Sequence, residues 1–359
     1  MRKLINILLI IVGLIPVRGL GQELPLFSNY TINPLIYNPA NAGQTTDVQF
    51  FLHHRTQWLG FKGSPVSHLL TMSAPLPSIN SGIGMSVQND QRGFFNSSSG
   101  SVKYAYHAKI NQSSKLSLGL GLDIYNRILR IGESTVRDID DPLVNNGSSS
   151  ETFLDASFGI EYRFLNKLIV GVSVPQLLKN NAKDNDSYVK NSRYFIGQTS
   201  YLLDLSPTNN LKIEPVVLVR YSDNTPLQYD LNTLLHYKNI FTVGGGYRSN
   251  YAFSFHAGVI MKNLTFRYVY DFATINSNLN KGLSHEITVG YTFKQYKKEI
   301  VIPSEDLKDE PLSAEKIRAI LNLLIDEYFE SGKNNPEELK KVELLKETIY
   351  NLLDSMNKK

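Results

Sequence analysis

From Asp47 to about Lys294, apolar and polar residues alternate with period two in segments of roughly ten residues, the length and period of a tilted membrane strand. In SVKYAYHAKI, Val102, Tyr104, Tyr106, Ala108 and Ile110 share one face, and Ser101, Lys103, Ala105, His107 and Lys109 the other. In LSLGLGLDI, Leu116, Leu118, Leu120, Leu122 and Ile124 oppose Ser117, Gly119, Gly121 and Asp123. One face suits lipid and the other water. Fourteen such segments are predicted, near 47–58, 65–75, 81–90, 100–110, 115–126, 152–162, 167–174, 192–204, 210–221, 226–236, 239–249, 251–260, 263–271 and 283–294. The count is even, as bacterial barrels require. Connections after even-numbered segments are short, whereas those after odd-numbered segments include the three longest, near 127–151, 175–191 and 272–282. Short turns on one rim and long loops on the other are the two ends of an outer-membrane barrel, with the short turns in the periplasm. A soluble β-sandwich also alternates, but it does not require this asymmetry.

The flanks break the pattern. Met1-Arg2-Lys3, an apolar run from Leu4 to Val17 and small residues Gly19 and Gly21 before Gln22 describe a signal peptide over residues 1–21. Residues 22–46 follow, with Asn33-Pro34 and Asn38-Pro39. Proline has no N–H for a ladder and pushes its predecessor to extended geometry, which argues against a central strand. Yet Tyr30, Ile32, Leu35, Ile36 and Tyr37 need cover, so this segment is expected to thread the barrel as a lumen plug held by Arg55, Gln57, Lys103 and Lys109. After the barrel (47–294) and a linker (295–311), residues 312–359 carry two stripes at helical spacing. Ile317, Ile320, Leu321, Leu324 and Tyr328 form one, and Leu339, Val342, Leu345, Ile349, Leu352 and Met356 the other. Gly332 marks a stop, and Asn335-Pro336-Glu337-Glu338 a helix start. The predicted chain is therefore all-β: a 14-stranded transmembrane outer-membrane β-barrel with an N-terminal lumen plug and a short C-terminal α-helical hairpin. Both termini are expected in the periplasm, where the hairpin would dock a partner.

Composition narrows the chemistry. No cysteine occurs, which excludes a lipidated cysteine, disulfides and thiolate sites. The 20 Tyr and 17 Phe suit aromatic girdles facing outer-membrane lipid. A net charge of +4, with −4 in the tail from Ser304 onward and +8 in the rest, offers no basic stripe for nucleic acid.

Candidate catalytic sets are thin, and no cofactor is implied. Ser254-Phe255-His256 has the spacing of an outer-membrane phospholipase pair, but Phe253, Phe255, Ala257 and Val259 are the apolar set, so Ser254 and His256 face the lumen. The adjacent His53 and His54 point to opposite faces, and the seven histidines lack metal-ligand spacing. Gly82-x-Gly84 and Gly244-Gly245-Gly246 lie in strand patterns, where glycine marks a bend or a close approach. The carboxylates of Asp138, Asp140 and Asp141 form a candidate calcium loop with a solvated alternative. Trp58 reads as a girdle anchor or a partner contact.

Two N-terminal motifs are more specific. The run Gln22, Phe27-Ser28, Tyr30, Asn33, Asn38-Pro39-Ala40, Ala42 and Gly43, followed by Arg55-Thr56-Gln57-Trp58-Leu59-Gly60-Phe61-Lys62-Gly63-Ser64-Pro65, closely resembles the PorP/SprF family of type IX secretion system outer-membrane proteins. Gly82-Ile83-Gly84, Asn89-Asp90 and Gly93 continue the likeness, which extends from Gln22 to about Lys294. The helical tail departs from it. The resemblance implies a non-enzymatic barrel of the Bacteroidetes secretion and gliding motility machinery. Such a barrel anchors or delivers a secreted surface protein through its C-terminal signal domain, with other components of the machinery as partners. Asn33, Asn38, Pro39, Ala40, Gly43, Arg55, Gln57, Trp58, Gly60 and Phe61 become the candidate plug and partner-binding residues. The competing reading is a FadL-like, hatch-gated transporter of hydrophobic small molecules. That fatty-acid channel family shares fourteen strands, a hatch and an Asn-Pro-Ala element, but not the Gln-Trp-Leu-Gly-Phe run.

Overall fold

The structure is a computed structural model. It describes residues 25–130, 148–178, 193–222, 225–273 and 283–294, with helical positions at 322, 347 and 350. The signal peptide, the Asp138 to Asp141 loop and nearly all of the C-terminal hairpin lie outside the described residues. The chain divides into two units, Met1–Gln295 and Tyr296–Lys359.

The first unit is a closed antiparallel barrel. Its strand segments are β1 (Val48–Thr56), β2 (Val66–Leu76), β3 (Ser81–Arg92), β4 (Phe95–Lys109), β5 (Ser114–Arg130), β6 (Ser148–Phe164), β7 (Leu168–Val174) and β8 (Tyr194–Tyr201). There follow β9 (Leu203–Ser206), β10 (Leu211–Ser222), β11 (Thr225–Tyr237), β12 (Phe241–Arg248), β13 (Ala252–Met261), β14 (Leu264–Ala273) and β15 (Ser284–Phe293). Both β8 and β9 pair with β10 and are two pieces of one strand, so fourteen strands form the wall. Closure comes from β1 on β15, with Val48 opposite Phe293 and Thr56 opposite His285.

Alternation decides which way each side chain faces. Val102, Tyr104, Leu118, Leu120, Leu122, Phe253, Phe255 and Ile287 are exposed on the outside, whereas Ser117, Asp123, Glu161, Asn232, His256, Glu286 and Thr288 are buried inside. An apolar exterior around a polar interior is the inverse of a soluble core and is what a bilayer demands. The short turns use residues that tolerate left-handed backbone: Asn80, Asn166, Asn210 and Asn239 have positive φ, as does Asn250 in a tight turn on the opposite rim.

The barrel is uneven in height. The strands expected at 100–110, 115–126 and 152–162 extend to 95–109, 114–130 and 148–164. Ser97, Ser99, Asn126, Ser150 and Thr152 carry no apolar period, yet backbone pairing continues through them because ladder hydrogen bonds do not depend on the side chain.

Candidate functional site

The proline-rich segment is neither strand nor α-helix. It makes three one-turn 3₁₀ helices, Asn29–Thr31, Pro34–Ile36 and Pro39–Asn41. Proline opens the last two, where its missing N–H would have no partner anyway. Asn38 caps the third turn: its Oδ1 accepts from the Ala40 N–H at 2.9 Å and its Nδ2 donates to the Ile160 carbonyl at 3.2 Å.

The segment runs the length of the barrel against inward-facing side chains. At the long-loop end, Arg248 Nη2 donates to Ser28 Oγ at 3.2 Å and to the Phe27 carbonyl at 3.5 Å. The N–H groups of Ser28 and Asn29 donate to the two Glu286 oxygens at 2.7 and 2.9 Å. Midway, Asn33 Nδ2 donates to Thr71 Oγ1 at 2.8 Å and to His53 Nε2 at 2.9 Å. Lys103 Nζ donates to the Leu35 carbonyl at 2.9 Å. Near the short turns, the Gly43 N–H donates to Ser73 Oγ at 2.8 Å. Tyr30 and Tyr37 pack with Ile196, Val216 and Leu218. Desolvation pushes the Tyr30 phenol well above its ordinary range, reinforced by the charge of Asp230, and burial raises Tyr37 as well.

Two glycines allow backbone to touch backbone. A Cβ on Gly119 would collide with Pro39 and Ala40, and one on Gly82 with Ala42 and Gly43. These are the close approaches glycine permits inside strands.

Beneath the first turn lies an ionic network. Arg55, fully buried, reaches Asp271 at 2.6 Å and Glu286 at 3.2 Å, while Asp230 takes Arg220 at 2.8 Å and Arg248 at 2.9 Å. Gln57 Nε2 donates to Tyr251 Oη at 2.9 Å, and Arg55 donates to the same oxygen at 3.3 Å. Three positive charges are thus matched by three carboxylates in a buried space, where unpaired ions would be strongly destabilising.

Of the ten candidate residues, Asn33, Asn38, Pro39, Ala40, Gly43, Arg55 and Gln57 are buried together at the inner wall. Trp58, Gly60 and Phe61 are apart from them, in the turn after β1. There Trp58 is 42 % exposed with φ 52°, and Leu59 is 54 % exposed. Phe94 and Phe95 of the next hairpin are also exposed, and the two loops are tied by the Gly93 N–H donating to the Gly63 carbonyl at 2.9 Å.

One expectation needs correction. Lys109 is exposed at the last position of β4, where the inner face opens to solvent, and it takes part in none of the segment's described hydrogen bonds. The role assigned to it falls instead to Glu286, Arg248 and Asn232, inward positions that alternation flags as polar without naming their partners. Pro25 borders the same cavity as Ser97, Ser99 and Arg127, toward the long-loop rim, whereas Phe293 ends beside Val48 at the short-turn rim.

Ser254 Oγ and His256 Nε2 stand 3.0 Å apart on the inward face, but His256 Nδ1 meets no partner, so no third group orients the ring. Between the segment and β3 to β5 remains a cavity of about 80 Å³, bordered by Ile36, Tyr37, Ser99, Lys103, Asp123 and Gln176. It has room for several waters.

A family model described as "Type IX secretion system membrane protein PorP/SprF" matches residues 20–291. No curated protein matches the chain. Among solved structures, the CymD monoaromatic hydrocarbon channel is 12% identical with TM-score 0.47, over 77% of this chain and 95% of that one. The P. putida toluene transporter TodX is 8% identical with TM-score 0.43, over 72% and 93%. The KdgM porin is 14% identical with TM-score 0.35, over 68% and 99%.

Proposed function

The chain belongs to the PorP/SprF family of type IX secretion system membrane proteins, and within that outer-membrane machinery we propose that it anchors or delivers a secreted surface protein by that protein's C-terminal domain. In this reading residues 25–43 are a plug, and the partner meets the long-loop rim. The carrying observation is how the inner wall is used. Glu286, Arg248, Asn232, Thr71, Lys103 and Ser73 on that wall hold the chain's own N-terminal segment, a cavity of about 80 Å³ remains beside it, and Trp58, Leu59, Phe94 and Phe95 are exposed at the loops after β1 and β3. Exposed aromatics at a rim are the composition of a protein contact, and a bulky residue held at positive φ is strained, as functional residues often are. The short-turn rim is assigned to the periplasm, so Pro25 points outward and the tail follows the barrel on the periplasmic side. A helical hairpin there would dock machinery components. In its favour, Asn322, Glu347 and Tyr350 are helical and Tyr350 Oη donates to Asn322 Oδ1 at 2.6 Å.

The hatch-gated transporter keeps one supporting observation: residues 25–43 join no strand ladder of the wall, so the segment can withdraw as a unit. Gentle purification from native membranes followed by mass spectrometry separates the readings. A large secreted protein should co-elute with the wild type and be depleted with Trp58→Ala, while removal of residues 304–359 should strip periplasmic components and leave that protein bound. A barrel eluting alone with bound fatty acid or hydrocarbon would overturn the anchor in favour of transport.

A further inference from the structure

On the outside of the barrel, β1 and β2 bring two imidazoles face to face. His54 and His68 are directly opposed in the antiparallel register, and their Nδ1 atoms are 3.3 Å apart with ring centroids at 4.7 Å. Their outward direction follows from His53, the residue before, which is fully buried inside. The second nitrogen of His54, Nε2, lies 3.2 Å from Thr56 Oγ1. In the tautomer whose Nε2–H donates to that hydroxyl, Nδ1 keeps its lone pair for an ion, the arrangement by which an outer hydrogen bond orients a metal-ligating histidine.

We propose that His54 and His68 are a chelating site for a borderline divalent transition-metal cation of the Zn²⁺, Ni²⁺ or Cu²⁺ class. Two nitrogens bound at about 2.0–2.1 Å to one tetrahedral ion stand about 3.3–3.4 Å apart, the separation already present. Both ligands are mounted on neighbouring strands of a closed sheet, so little ordering remains to be done when the ion arrives. The outward neighbours Leu52, Leu70 and Ile287 are apolar, and Asn89, opposite His68, is neutral. None of these four neighbours is a carboxylate that would favour Ca²⁺ or Mg²⁺, and nitrogen ligands select the borderline ions. No group of three potential ligands occurs among the described residues, so water completes the coordination. The site lies where the outer wall passes from Leu52 and Leu70 to polar Asn89, within reach of aqueous ions. A bound ion would cross-link β1 to β2, next to the β1–β15 closure.

The test uses the folded full-length barrel in detergent, titrated with Zn²⁺ by calorimetry and with Cu²⁺ by electron paramagnetic resonance. One Zn²⁺ equivalent is expected in the wild type. His54→Ala and His68→Ala should each weaken it at least tenfold, while His236→Ala and His285→Ala should leave it unchanged. The Cu²⁺ spectrum should show coupling to two nitrogens in the wild type and to one in either single variant. Heat-modifiable gel migration reports folding, and His68→Asn replaces His68→Ala if the latter does not assemble. Zn²⁺ binding that survives the double variant, or a wild-type Cu²⁺ spectrum with one nitrogen, would overturn the site.

Discussion

Gly119→Ala should loosen the N-terminal segment without touching the outer wall. The added methyl would sit within the backbone of Pro39 and Ala40, and neither strand nor 3₁₀ turn can swing away as a side chain does. Overpacking of this kind costs about 1–3 kcal/mol, which raises the undocked population about 5- to 150-fold. Two further glycines calibrate the effect. At Gly84 the added methyl meets the Leu35 methyls at 3.1 Å, a flexible end, so the increase should stay below about fivefold. At Gly197 it meets nothing within 4 Å, and no change is expected. The readouts are open fraction in planar bilayers and chymotryptic nicking at Phe27, Tyr30 and Tyr37, measured on barrels that migrate as folded. The expected order is Gly119→Ala, then Gly84→Ala, then Gly197→Ala level with wild type. If Gly119→Ala and Gly197→Ala match in both readouts, the Asn38-Pro39-Ala40 turn does not hold the segment and the plug reading fails.

Two other perturbations probe the same packing. Arg55→Met leaves Asp271 and Glu286 without their shared cation and should destabilise the barrel by about 3–5 kcal/mol. Its heat-modifiable transition should drop, and Glu286→Gln added to it should restore part of the loss, whereas equal transitions in all three proteins would show that the network does not contribute. Alkaline pH should release the segment. Because burial raises the Tyr30 and Tyr37 phenols, the docked state keeps protons that the released state loses, so docking is intact below about pH 10 and weakens as pH rises past it. Tyr30→Phe should blunt that pH dependence of conductance, at the expense of the hydrogen bond from Asn232 Nδ2 at 2.7 Å.

The wall was legible along the chain because alternation is a property of adjacent residues. Val102 beside Lys103, or Ile287 beside Glu286, declares which side faces lipid before any strand has found its neighbour, and fourteen such stretches with unequal loops specify a barrel and its two rims. The two motifs around Asn38 and Gln57 were equally visible, and so was the unsuitability of residues 25–43 for strand or helix. What lies opposite those residues was not. Glu286 binds the N–H groups of Ser28 and Asn29 across 258 and 257 positions, and Arg55 binds Asp271 across 216. The segment has no period from which a buried face could be read, and Lys109 and Lys103 share an alternation although only Lys103 reaches it. The His54–His68 pair likewise depends on the β1–β2 register, which sets two residues fourteen positions apart directly opposite each other. Local order of apolar and polar residues fixes direction relative to the sheet. Which inward groups meet is decided only when β1 closes on β15, because closure brings every inner face to one shared space.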